Sequence, residues 1–182
     1  MLDKQAKISL REPDYAAYAQ IYKTRFYDEV VYWADSQKVI LSVEEYAMGR
    51  MHWVDKERYY ERIIYIGERA IGTVTAREID WERRSCLLGI VIAVPEYWGK
   101  GYGTKVLKQF FVLLYDLGIK FVRLETFSNN IRARRCFEGL GFKKRRSFYA
   151  PQSGRFVIEM VKKLEPIKPI GYVVKGGRSG KS

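Results

Sequence analysis

The sequence predicts an α/β chain in the α+β sense: a mixed, mostly antiparallel sheet flanked by helices, with one strand–helix–strand crossover. Three observations predict it. Short apolar runs joined by glycine turns fill the first half, and residues at helical spacing precede them. One apolar run then passes through a glycine loop into an amphipathic stretch and a further strand.

In chain order, Ile8-Ser9-Leu10-Arg11 alternates apolar and polar, as a half-buried strand does, and Pro13 and Asp14 mark a turn and a helix start. Tyr15, Tyr18, Ala19 and Tyr22 follow at helical spacing; they suit a helix face packed on a sheet, or stacking on a nucleotide. Ser42-Val43-Glu44-Glu45 reads as a cap with acidic residues in the first turn of a second helix. Ile63 to Ile66 and Ala70 to Thr75, separated by Gly67-Glu68-Arg69, read as a hairpin. A turn at Asp80 to Arg84 leads to Leu87 through Val94, apolar without alternation and so expected to be covered on both faces until Pro95 ends it. Val106, Leu107, Phe110, Phe111, Leu114 and Leu117 form one helical stripe that Gly118 closes. A strand at Phe121 to Phe127 and a short helix from about Ile131 to Gly139 come next. Two strands, around Arg146 to Tyr149 and Phe156 to Val161, then flank the turn Pro151 to Gly154.

The 182 residues, 47% hydrophobic and 15% aromatic, suit one domain with a full core, expected over 1–164, with a flexible basic tail over 165–182. No run approaches the roughly 18 apolar residues of a membrane span. Met1-Leu2-Asp3-Lys4 carries charge where a signal peptide would be apolar, so a cytoplasmic location is expected. With two cysteines, outside any C-x-x-C pair, and one histidine, His52, no disulfide framework or metal site is expected. Proton transfer then falls to a carboxylate, a tyrosine, a thiol or water. The net charge of +12 favours anionic partners or serves only to solvate the surface.

Gly99-Lys100-Gly101-Tyr102-Gly103-Thr104 opens a helix after a buried strand. A helix N-terminus offers unpaired N–H groups and the positive end of the dipole, and glycine lets the backbone approach an anion, so this loop is a candidate phosphate cradle. Lys100 adds charge and Thr104 a hydroxyl. A dinucleotide site would carry G-x-G-x-x-G directly after its strand; here the spacing is G-x-G-x-G, four residues beyond Val94. The stretch Gly176-Gly177-Arg178-Ser179-Gly180-Lys181-Ser182 imitates an ATP-binding loop but lacks the first glycine, Lys175 standing there, and no helix is expected after it.

Val94-Pro95-Glu96-Tyr97-Trp98-Gly99-Lys100-Gly101-Tyr102-Gly103-Thr104 resembles the Q/R-x-x-G-x-G/A signature of the GNAT superfamily of acetyl-CoA-dependent N-acetyltransferases, with Trp98 at the Gln/Arg position. Asn130, Ala133, Phe137, Gly141 and Phe142 resemble its N-x-x-A-x-x-x-Y-x-x-x-G-F element. The resemblance covers Asp80 to Leu164 and is nearest the branch of ribosomal-protein N-terminal and spermidine acetyltransferases. It implies that acetyl-CoA is the donor, with backbone groups of Val91, Ile92 and Ala93 on the pantetheine arm and acetyl carbonyl. Gly99, Lys100, Gly101, Tyr102, Gly103 and Thr104 would then hold the pyrophosphate, and Asn130 the pantetheine.

The implied chemistry is direct attack of a primary amine, on a protein N-terminus or a small molecule such as a polyamine. An amine of pKa roughly 10 must first lose a proton. Glu125 matches the position of a base in the ribosomal-protein enzymes; it is also placed to be an ordinary surface acid. Relatives often carry a tyrosine proton donor where this chain has Phe137, so Tyr149, or more weakly Cys136, is the expected substitute. Asp28-Glu29 and Glu44-Glu45, with Tyr27, Tyr32 and Trp33, can bind a cationic acceptor or simply cap helices. Arg132, Arg134, Arg135 and Lys143 to Arg146 make a basic patch suited to CoA phosphate or an acidic surface. A homodimer is expected from the family. The rival readings are a non-catalytic acyl-CoA-binding module, suggested by Phe137, and an RNA-binding protein, suggested only by charge.

Overall fold

A computed structural model describes residues 7–25, 28–34, 41–54 and 56–166. Its elements are β1 (Ile8–Arg11), α1 (Tyr15–Arg25), α2 (Asp28–Ala34), α3 (Val43–Val54), β2 (Tyr60–Ile66), β3 (Arg69–Asp80), β4 (Ser85–Ile92), α4 (Tyr102–Asp116), β5 (Phe121–Phe127), α5 (Ile131–Gly139), β6 (Lys143–Ala150) and β7 (Arg155–Lys163). Beyond position 166 the expected tail lies outside the described residues, as does Tyr27.

Local chemistry explains the element starts. The Asp14 carboxylate accepts the Ala17 N–H at 2.7 Å, capping α1. Ser42 and Glu45 form a reciprocal capping box at α3: the Ser42 hydroxyl accepts the Glu45 N–H at 3.1 Å, and the Glu45 carboxylate accepts the Ser42 N–H at 2.7 Å. Helix α2 was not expected; at seven residues it is too short for periodicity to reveal.

The seven strands form one sheet in the order β1-β2-β3-β4-β5-β7-β6, antiparallel except at β4–β5. That parallel pair is joined by α4, the expected crossover. One face is covered by α4, whose Val106, Leu107, Phe110 and Leu114 pack on Ile64, Val74, Leu88 and Leu124. Leu117 does not continue this stripe: it terminates α4 and is 42% exposed. The other face carries Ala17, Tyr18, Ile21, Val30 and Ala47 of α1–α3 against Ile63, Tyr65 and Ala70.

The parallel pairing runs only from Ser85 opposite Phe121 to Leu88 opposite Leu124. Beyond it β4 stays paired to β3 as far as Ile92, and β5 to β7 as far as Phe127, so the two strands part. This corrects the expectation that β4 is covered on both faces: Cys86, Leu87 and Leu88 are buried, whereas Gly89 to Ile92 are only half-buried along the opening. Gly72 keeps β3 close to β4 there. A Cβ on it would lie 1.9 Å from the Val91 carbonyl oxygen.

Candidate active site

The parting of β4 from β5 opens a cleft of about 910 Å³ that passes through the sheet. At one end stand the glycine loop and α5; in the middle, β4 and the end of β5; at the other, α1, α2, α3 and β3.

At the loop end, Gly99 and Gly101 have φ of +72° and +80°, the left-handed region that glycine enters without strain. Gly101 is the N-cap of the 15-residue α4 and no side chain caps it, so the first N–H groups of the helix are left for a ligand. Gly99, Gly101, Tyr102, Gly103 and Thr104 all line the cleft. Lys100 does not; it is exposed at the tip of the turn. Of the three positions expected to face the donor, Val91 and Ile92 of β4 line the cleft, and Ala93, just past its end, does not. Ala93 is fully buried and its N–H donates to the Ile71 carbonyl at 2.7 Å.

Trp98 takes a role that the signature did not disclose. Its indole Nε1–H donates to the Ile92 carbonyl at 2.7 Å, tying the loop to the end of β4, and the Arg132 guanidinium stacks over its ring at 4.0 Å. Burial lowers the Arg132 pKa, partly offset by Glu29. Asn130 lines the cleft and caps α5, its Oδ1 accepting the Ala133 N–H at 3.2 Å. Phe137 and Cys136 also line this end, with the Cys136 sulfur 3.3 Å from the Thr104 hydroxyl.

Glu125 lines the middle of the cleft, exposed, on the stretch of β5 that has lost β4 as a neighbour. Tyr149 is not brought to it. It sits on β6, the edge strand, 52% exposed, edge-on to Phe156 at 5.4 Å and outside the residues that line the cleft. The expected basic patch is likewise divided. Arg132 and Arg135 line the cleft, whereas Lys143 and Arg145 line a separate groove of about 700 Å³ at the other end of the sheet. Arg145 and Arg146 lie 3.3 and 3.1 Å from the buried carboxylate of Glu159, the β7 residue opposite Glu125.

The end formed by α1–α3 and β3 holds residues that no motif marked: Thr73, Thr75 and Arg77 of β3, Arg25 of α1 and Arg50 of α3. Their signal was strand alternation, which puts Thr73, Thr75 and Arg77 on one face. Glu61, opposite Thr75, is 2% exposed; it pairs with Arg50 and accepts the Tyr18 and Tyr59 hydroxyls at 2.9 and 2.7 Å. Burial, reinforced by the Glu61 charge, pushes the Tyr18 phenol far above its ordinary value. Burial is the strongest single influence on Arg50 and opposes its charge, but Glu61, Tyr59 and Tyr46 together outweigh it and raise the guanidinium pKa.

Of the expected acidic pairs, neither Asp28-Glu29 nor Glu44-Glu45 lines the cleft. Tyr32 and Trp33 of α2 are instead pinned by Arg155, which stacks over the Tyr32 ring at 4.1 Å and donates to the Tyr32 carbonyl at 2.6 Å. Trp33 still reaches the cleft lining.

Residues 7–143 match the family model of the acetyltransferase (GNAT) domain. An uncharacterized protein of Methanocaldococcus jannaschii is 30% identical over 96 residues, which are 50% of this chain and 19% of that protein, so this chain spans only a small part of that relative's length. Among solved structures, spermidine N-acetyltransferase from Vibrio cholerae in complex with CoA and spermine superposes with a TM-score of 0.75 at 18% identity, over 86% of this chain and 95% of that one. A dodecameric structure of the Vibrio cholerae enzyme gives 0.70 at 18% identity, over 86% and 94%. A domain from Methanocaldococcus jannaschii gives 0.69 at 24%, over 88% and 100%. At these identities the structural likeness is one of fold.

Proposed function

Because this chain belongs to the GNAT acetyltransferase family, we propose that it transfers the acetyl group of acetyl-CoA to a primary amine by direct attack within the cleft between β4 and β5. One observation carries the reading: the uncapped N-terminus of α4 and the exposed carboxylate of Glu125 open into the same cleft, from opposite sides of the strand parting.

Donor phosphates fit the N–H groups that begin α4, where the helix dipole and two left-handed glycines favour an anion. Exposed Arg132 and Arg135 add positive charge at that end. Asn130 has its oxygen engaged by the helix cap, which leaves its NH2 group to donate to the pantetheine arm. The thioester then lies along Val91 and Ile92, with Trp98 holding the Ile92 carbonyl.

Glu125 accepts a proton from the ammonium, directly or through water, and the freed nitrogen lone pair attacks the thioester carbonyl. The N–C bond forms and the C–S bond breaks; the acylated nitrogen, now cationic, gives up its second proton to water, and the CoA sulfur leaves as a thiolate that takes up one proton. Phe137 has no proton to give and Tyr149 stands outside the cleft, so the donor is water or the paired Thr104 and Cys136 groups. Proximity of amine and thioester supplies much of the rate.

The acceptor is a protein N-terminus or a small-molecule amine. A cytoplasmic location accords with the lack, among the described residues, of a helix long and apolar enough to cross a membrane. Self-association, to be read by light scattering, draws support from the dodecameric Vibrio cholerae neighbour. The decisive test follows thiol release from acetyl-CoA against a panel of peptides, amino sugars and polyamines, with Glu125→Gln alongside. Turnover is expected with at least one amine, and the substitution is expected to lower kcat by about 100-fold. Tight CoA binding with no acetylation of any amine would make the chain a binding module instead.

A further inference from the structure

The acceptor half of the cleft is lined by arginine rather than carboxylate. Along β3, Thr73, Thr75 and Arg77 alternate onto the face that carries α1–α3, and the register sets Gly89 beside Thr75 and Leu87 beside Arg77. Gly89 leaves the floor bare between Thr75 and Glu125; a Cβ there would meet the Thr75 hydroxyl at 2.7 Å. Two carboxylates flank this row, and both are buried, ion-paired and outside the cleft lining. Glu61 is held by Arg50, Tyr18 and Tyr59, and Glu159, opposite Glu125, by Arg145 and Arg146. Glu125 is the one carboxylate among the described residues that line the cleft.

A polycation needs several free carboxylates, and here it would meet guanidinium groups instead. Taking the acetyl-transfer reading as given, we infer that the acceptor carries a second, anionic group, a carboxylate or a phosphate, which Arg77 and Arg50 hold while its amine faces Glu125. Arginine suits either anion through paired N–H donors. Arg77 is exposed in the cleft, with its charge available. Arg50 is fixed by Glu61 and still presents part of its side chain, 29% exposed, to the cleft. Strand spacing and rise put the Arg77 Cα roughly 12 Å from that of Glu125, a span closed by two inward-reaching side chains and a small molecule or peptide end between them. The guanidinium groups also disfavour an ammonium nearby, which eases its loss of a proton to Glu125.

Matched amines test this on the full chain with acetyl-CoA: an amino sugar phosphate against the unphosphorylated sugar, the peptide Ser-Asp-Ala-Ala against Ser-Lys-Ala-Ala, and spermidine. The anionic member of at least one pair is expected to show a KM lower by about tenfold or more, the scale of one charged hydrogen-bonding contact. The sugar arm reports phosphate and the peptide arm carboxylate. Arg77→Gln is expected to erase that preference and Arg77→Glu to reverse it, while Arg83→Gln, outside the cleft, keeps it. Turnover that favours spermidine or the lysine peptide would overturn the inference and leave acetyl transfer standing. If no amine is acetylated, the proposed reaction fails separately. Calorimetry on the CoA-saturated protein then still reads the anion: binding of an anionic amine that Arg77→Gln weakens supports the inference, and no such binding overturns it.

Discussion

At the scale of single residues, the chemistry of the cleft depends on a buried ion pair behind it. Glu61 has no exposed side-chain surface, Arg50 is mostly covered, and two tyrosine hydroxyls complete the carboxylate's hydrogen bonds. A buried pair of this kind contributes little net stability against an apolar alternative, but removing one partner strands the other charge. Glu61→Gln preserves shape and leaves the Arg50 cation uncompensated beside Tyr18 and Tyr59. It is expected to cost about 3 kcal/mol, read as a lower urea midpoint at unchanged m-value. A loss below about 1 kcal/mol would mean that water or a rotated Arg50 already relieves the charge. None of this was legible in the chain, because Tyr18, Arg50 and Glu61 come from α1, α3 and β2 and Tyr59 from the turn before β2, and only the packing of α1 and α3 on the sheet gathers them. Tyr149 failed for the related reason that strand membership does not say which end or edge of the sheet a residue occupies.

At the scale of elements, α4 offers an internal control on its own N-terminus. Gly101 begins the helix with φ +80°, Gly118 follows its end with φ +93°, and neither has an atom within 4 Å of an added Cβ. Gly101→Ala and Gly118→Ala are therefore each expected to cost about 1 kcal/mol of stability, from left-handed strain alone. Only the first should weaken CoA binding, by about tenfold, because relief of its strain turns the leading N–H groups away from the phosphates. Equal CoA affinity in the two variants, measured by calorimetry, would remove the loop from the donor site. This element was readable beforehand because strand, glycines and helical stripe are contiguous in sequence, so local spacing carries the information. The opening between β4 and β5 was not. Continuous hydrophobicity from Leu87 to Val94 looks the same for a strand covered throughout and for one that loses a neighbour halfway.

At the scale of the whole molecule, a net charge of +12 invites the view that the entire surface draws in the anionic donor. The placement of the charges argues otherwise. Arg58, Arg83, Lys143, Lys162 and Lys163 line the groove by Ser85, whereas the glycine loop follows Ile92 at the far end of β4. Seven residue steps along a strand are roughly 24 Å, about three Debye lengths at physiological salt, so that groove is screened from the donor site. The effective charges are then Arg132 and Arg135 of α5, exposed on the cleft itself. The KM for acetyl-CoA is expected to rise several-fold between low and physiological salt. Arg132→Gln with Arg135→Gln should raise it at low salt and flatten the dependence. Lys162→Gln with Lys163→Gln removes as much charge and should change neither the value nor the slope. If the distant pair shifts the salt dependence as strongly as the near pair, the molecule's overall field guides the donor, and the local assignment to α5 is wrong.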